Sequence, residues 1–134
     1  MHFTNRSLLL LAALASFCGS GCLGASEASA FKDGEKARIN WDGAAARICV
    51  TEPSVECPAG KDDVISSGRV YWVLDATCFP GGIDKPIEYG VQPKCSKDVT
   101  AANNGKTIPM EPGVEYKVTI AGFGGSATVT TLRF

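Results

Sequence analysis

Six cysteines carry most of the chemical potential of this chain: Cys18, Cys22, Cys49, Cys57, Cys78 and Cys95. A thiol can ligate a metal, attack an electrophile or pair with a second thiol, and spacing decides among these. The last four are separated by seven, twenty and sixteen residues. A four-cysteine zinc site is built from closely spaced pairs instead, so no metal site is expected. An even set in a small exported domain reads as two disulfides. Cys49 lies between Ile48 and Val50 and takes the opposite strand face from them. The expected pairing is Cys49–Cys95 with Cys57–Cys78 nested inside it. The local alternative, Cys49–Cys57 with Cys78–Cys95, stays open.

Acid–base and nucleophilic chemistry finds little to work with. The single histidine is His2, and it falls in a stretch expected to be removed. The remainder then has no imidazole for Ser-His or Cys-His pairs, general-base work or metal ligation. Asp62-Asp63, Asp75, Asp84 and Glu88 are candidate carboxylates for glycoside hydrolysis or calcium. No D-x-D-x-D-G spacing follows Asp62, and they read as solvated turn residues. Lys61, Lys85 and Lys97 find no serine at a dyad spacing. No catalytic residue and no cofactor is expected, and the chain is not read as an enzyme. Among the aromatics, Trp72 and Tyr116 fall on apolar strand faces, while Trp41, Tyr71 and Tyr89 have no fixed assignment. Phe79 stands in a Pro-Gly-Gly loop with less core to fill. Phe79, with Asp84 in the same loop, is the expected partner contact.

The start of the chain reads MHFTNRSLLLLAALASFCGSGC. Arg6 gives a basic n-region, and Ser7 to Phe17 has the length of a signal h-region. It is too short for a spanning helix, which needs about 20 apolar residues. The small residues Gly19-Ser20-Gly21 before Cys22 resemble a bacterial lipobox, although Gly19 stands where an aliphatic residue is usual. The implied chemistry is cleavage before Cys22 and transfer of a diacylglycerol to its thiol. The competing expectation is a soluble secreted or periplasmic protein cut after Ala28-Ser29-Ala30. Cleavage before Cys22 takes 21 of the 134 residues, leaving 113 for one domain. Arg6 is the only Lys or Arg lost, so 13 basic residues become 12, against 14 Asp and Glu. That balance has no basic field and argues against nucleic acid.

The positioning elements are β throughout. Residues 1–21 are expected as a lipoprotein signal peptide, 22–36 as a flexible tether and 37–134 as the folded domain. Leu23 to Lys36 is small and polar without apolar period. The runs Ala37 to Trp41 and Ala46 to Thr51 flank an Asp42-Gly43 turn. Glu52 to Asp63 is broken by Pro53, Pro58 and Gly60. Val70, Trp72, Leu74 and Ala76 alternate on one face of a strand. Phe79 to Pro86 is a break, Ile87 to Val91 a short strand, and Asp98 to Gly105 a polar loop. Val114, Tyr116, Val118 and Ile120 give the cleanest alternation, and Ala127 to Phe134 closes the chain. Short strands without a helix of ten residues predict a small antiparallel β-sandwich of the Ig/fibronectin III-like kind, stapled by disulfides. Glu111 to Phe134 is similar to a fibronectin type III-like closing hairpin.

Several of these pieces resemble a family of small bacterial lipoproteins described as immunity proteins of type VI secretion. They are the ending Ser20-Gly21-Cys22, the strand Ala46-Arg-Ile-Cys-Val-Thr-Glu-Pro53, Pro86-Ile-Glu-Tyr89 leading to Pro93-Lys-Cys95, and Met110-Glu-Pro-Gly-Val-Glu-Tyr-Lys-Val118. The extra pair Cys57 and Cys78 departs from the pattern. The resemblance implies an anchored periplasmic domain that binds a toxic effector and blocks it without catalysis. The location implied is the cell envelope, at the outer membrane, with the membrane contacted through lipid on Cys22. An accessory envelope lipoprotein binding an envelope complex or peptidoglycan is the alternative expectation.

Overall fold

A computed structural model describes residues 24–59, 69–100 and 108–134. Eight strands follow in order: β1 Ala25–Asp33, β2 Lys36–Gly43, β3 Ala45–Thr51, β4 Val70–Ala76, β5 Ile87–Glu88, β6 Ser96–Asp98, β7 Glu115–Gly122 and β8 Ala127–Arg133. They form two antiparallel sheets, β1-β2-β5 and β6-β4-β3-β7-β8. The protein is an all-β sandwich stapled by two disulfides. Among the described residues no helix is long and apolar enough to cross a membrane.

Alternation dictates which faces meet. Ile39 and Trp41 on β2 face Ile48 and Val50 on β3, Trp72 and Leu74 on β4, and Tyr116, Val118 and Ile120 on β7. Each is at most 3% exposed, so the period-2 pattern of β7 is realised as read. Val70 departs from the expected face. It joins Cys49 and Val73 in a second cluster on the outer side of the larger sheet. The cause is a register shift between Val50 and Thr51 where β3 meets β4, since a one-residue slip moves a side chain to the other face.

The tether expected over 22–36 is corrected. From Ala25 the chain is already β1, paired with β2 from Ala25↔Gly43 to Asp33↔Lys36. A bulge between Ser26 and Ser29 breaks the alternation, with Glu27 at φ 49°. Beyond the bulge Ala28 and Ala30 turn to the core. Gly34 at φ 64° opens the two-residue turn into β2, the conformation a tight hairpin needs. Strand β1 also flanks β8. A Cβ on Gly24 would meet Ser126 Oγ at 2.5 Å, and Lys32 Nζ lies 4.8 Å from the Phe134 ring centre. The leader expected over 1–21 and Cys22 lie outside the described residues.

The nested disulfide pairing is corrected as well. The bonds are Cys49–Cys57 and Cys78–Cys95, with Cα separations of 5.7 and 5.1 Å. Cys49 faces outward from β3, as expected, and loop 52–59 folds back over that face. Cys78 and Cys95 meet because β4 and β6 pair where Ala76 opposes Ser96. The excursion between them crosses to the smaller sheet, contributes β5 and returns. Its two ends are adjacent before any sulfur bond forms, helped by Thr77 N–H donating to the Cys95 carbonyl at 2.9 Å. Strand β6 was not expected, since Asp98 onward reads as polar loop. Ile108 to Met110 are irregular.

Peptide mapping without reduction is expected to recover Cys49–Cys57 and Cys78–Cys95, and a peptide joining Cys49 to Cys95 would contradict this topology. Replacing both Cys78 and Cys95 by alanine is expected to cost about 3 kcal/mol in urea unfolding, the loop-closure value for a span of this size.

Candidate functional site

The strand directions give the sandwich two poles. Gly24, Gly43, Ala45, Cys78 and Gly122 stand at one, and Asp33, Lys36, Glu115 and Phe134 at the other. The eight residues of β7 set the poles about 25 Å apart.

At the first pole, loop 78–86 is pressed onto the start of β3. Gly82 adopts φ 75°, and a Cβ there would meet the Ala45 carbonyl oxygen at 2.5 Å. Only glycine permits that approach. Ile83 N–H donates to the same carbonyl at 3.1 Å, and Asp84 N–H donates to the Lys94 carbonyl at 3.2 Å. Ile83 is buried beneath, while Asp84 and Lys85 stay exposed. Lys85 Nζ donates to the Gly43 carbonyl at 2.7 Å and sits 5.9 Å from the Trp41 ring. Trp41 itself belongs to the core, and its Nε1 has no hydrogen-bond partner among the described residues. The loop presents Phe79, 71% exposed. Its ring stacks edge-on against Phe123 of the β7–β8 turn, with centroids 5.0 Å apart. Sequence alone singled out Phe79 and Asp84, and both are accessible here. It missed Phe123, which stands between Gly122 and Gly124 in the turn from β7 to β8.

At the second pole a groove of about 580 Å³ opens. Four segments line it: the β1–β2 turn with Lys32 and Lys36, the chain after β5 with Tyr89, residues 109–112 with Met110 and Pro112, and Phe134. A rigid aromatic group supports it. Tyr89 meets Trp72 edge-on at 5.2 Å, and Tyr116 meets Tyr71 likewise at 5.2 Å. Tyr89 donates its O–H to the Ile108 carbonyl, and Tyr116 O accepts the Glu111 N–H at 2.7 Å. These bonds fix the chain entering the groove from both sides. Lys36 faces Glu88 at 3.6 Å, so the rim carries both signs of charge around an apolar floor. No single segment announced this groove in the sequence.

The remaining carboxylates separate. Asp75 is clamped opposite Arg47, whose Nε and Nη2 donate to its two oxygens at 2.5 and 2.9 Å. Nη1 of Arg47 donates to the Pro58 carbonyl at 2.5 Å, so this ion pair ties β3, β4 and loop 52–59 together. Glu27 is pushed above the usual carboxylate range by its hydrogen bond with, and repulsion from, Asp42. Asp62-Asp63 and Lys61 lie outside the described residues.

Burial, reinforced by Tyr116, Tyr71 and Asp98, pushes the Tyr89 phenol well above its ordinary value of 10.0. A folded value above the unfolded one stabilises the fold fully below about pH 10, and that stabilisation disappears as pH rises through the folded value. Tyr89→Phe is expected to cost about 1 kcal/mol near neutral pH, the worth of one hydrogen bond. It is also expected to flatten the alkaline fall in stability seen by urea unfolding as pH rises above about 10. An identical alkaline fall in both proteins would contradict the assignment.

In comparisons with family models, curated proteins and solved structures, no match to this chain is found.

Proposed function

We propose that this chain is an exported lipoprotein whose sandwich is a non-catalytic binding domain, anchored through lipid on Cys22. Its partner is a protein, best read as a toxic effector acting in the periplasm after type VI delivery, which the domain binds and neutralises. The observation that carries the binding reading is the groove at the pole opposite Gly24. It is about 580 Å³, preformed on hydrogen-bonded aromatics, apolar in its floor and charged at its rim. Such a surface accepts an apolar side chain of a partner and orients it by charge. Two disulfides hold the loops in place, so little conformational freedom is lost on binding, and they are compatible with an oxidising compartment.

Strand β1 supports the lipidation reading over the soluble one. Cleavage after Ala30 would remove Ala25 to Ala30, six of the nine residues of β1. Cleavage before Cys22 leaves the strand whole. The same closeness of strand and anchor favours a second reading, an accessory envelope lipoprotein engaged with a complex at the membrane surface. In either reading the far groove takes the partner, and Phe79 and Asp84, the residues singled out from sequence, lie at the anchored pole.

The test is a contact competition on solid medium between a deletion strain and its parent, with liquid co-culture as control. Killing of the deletion strain only on contact is expected, with rescue by plasmid-borne protein. The groove variant Lys32→Glu/Lys36→Glu is expected to be exported at normal level, since surface changes shift stability by about 0.5 kcal/mol or less, yet to rescue poorly. Equal growth of both strains on solid medium contradicts immunity and leaves the envelope reading.

A further inference from the structure

The anchored pole carries an aromatic pair, exposed Phe79 and half-buried Phe123, that the groove reading leaves without a role. Phe79 is 71% exposed and braced edge-on by Phe123. That brace holds the ring outward rather than letting it fold onto the protein. The pair shares its end of the sandwich with the start of β1. A Cβ on Gly24 would touch Ser126, three residues from Phe123 in the same turn, and the Gly24 carbonyl lies against Gly43.

Cys22 is two residues before Gly24, a reach of about 7 Å at full extension. With β1 in the sheet there is no long tether to lift the domain. A lipid on Cys22 therefore brings this pole, and no other, against the headgroups. We propose that Phe79 and Phe123 form a membrane-contacting wedge that seats the anchored pole on the bilayer. This rests on the lipidation of Cys22 proposed above. Aromatic side chains at the headgroup level are favourable, and a lipid chain plus a second contact anchors more firmly than one chain alone. The ionic groups at this pole carry both signs: Lys85 donates to the Gly43 carbonyl, while Glu27 and Asp42 lie against each other. Apolar insertion rather than attraction to anionic lipid is thus the force at work. The consequence is a fixed orientation, with the groove held about 25 Å out from the surface.

The test uses the full chain as purified from the membranes of an expressing bacterium, added to preformed vesicles of phosphatidylethanolamine and phosphatidylglycerol, oxidised by hydroxyl radicals and read by peptide mass. Phe31 is the internal reference. It is 52% exposed and lies towards the other end of β1, opposite Arg38. If both rings faced water, Phe79 would be oxidised at least as much as Phe31. The wedge reverses the order, with Phe79 falling about threefold or more below Phe31, the protection expected of a side chain sunk among headgroups. The same digest reports whether the Cys22 peptide carries diacylglycerol. Lipid on Cys22 with Phe79 still the more oxidised overturns the wedge alone. An unmodified Cys22 overturns both the lipidation and the wedge.

Discussion

The antiparallel pairing of β1 with β2 decides which residues stand at each end of the sandwich. It takes residues with little apolar character and fixes them along the edge of the smaller sheet, from Ala25 opposite Gly43 to Asp33 opposite Lys36. The pairing sets the chain start at the pole of Gly82, Phe79 and Phe123. It also carries Lys32 to the opposite pole, where its ammonium covers the Phe134 ring and frames the groove. Without it, the lipid proposed on Cys22 would leave neither pole in a defined relation to the membrane.

The core is held by a different logic. Trp72, Ile48, Leu74, Ile120 and Val118 fill the space between the sheets with almost no exposure. On the outer face of the larger sheet, the Cys49–Cys57 bond and the Arg47–Asp75–Pro58 contacts clamp loop 52–59 over Val73. The Cys78–Cys95 bond closes the base of the excursion that crosses between sheets. Cys49–Cys57 thus fixes a loop to a strand it covers, and Cys78–Cys95 joins the two ends of one excursion, instead of linking distant parts of the core.

What was legible in the sequence followed period and punctuation. Val114 to Ile120 alternate without interruption, and β7 is where they place it. Phe79 in its Pro-Gly-Gly break emerges exposed, because the loop returns to the core only at Gly82 and Ile83. Strand β1 was hidden because its inward residues are small alanines and the bulge at Glu27 breaks their alternation. The Asp33-Gly34 pair, ahead of Lys36, was the signal of a hairpin there. The disulfide pairing failed because it needed β6, a three-residue strand too short and polar to be seen. The groove was illegible for a simpler reason. Its four segments are distant in the chain, and only the sheet order brings Lys36, Tyr89, Met110 and Phe134 to one end.

The most direct measurement is amide hydrogen exchange across Ala25 to Lys36. Pairing with β2 buries ladder hydrogen bonds, so the amides that β1 donates should exchange slowly, at rates comparable to those of the β7–β8 hairpin. Protection of Phe31 and Asp33, whose amides face β2 in the ladder closed by the Asp33–Lys36 turn, is the expected result. Exchange within seconds across the whole segment would make it a tether after all, and would remove the reason for assigning one pole to the membrane and the other to a partner.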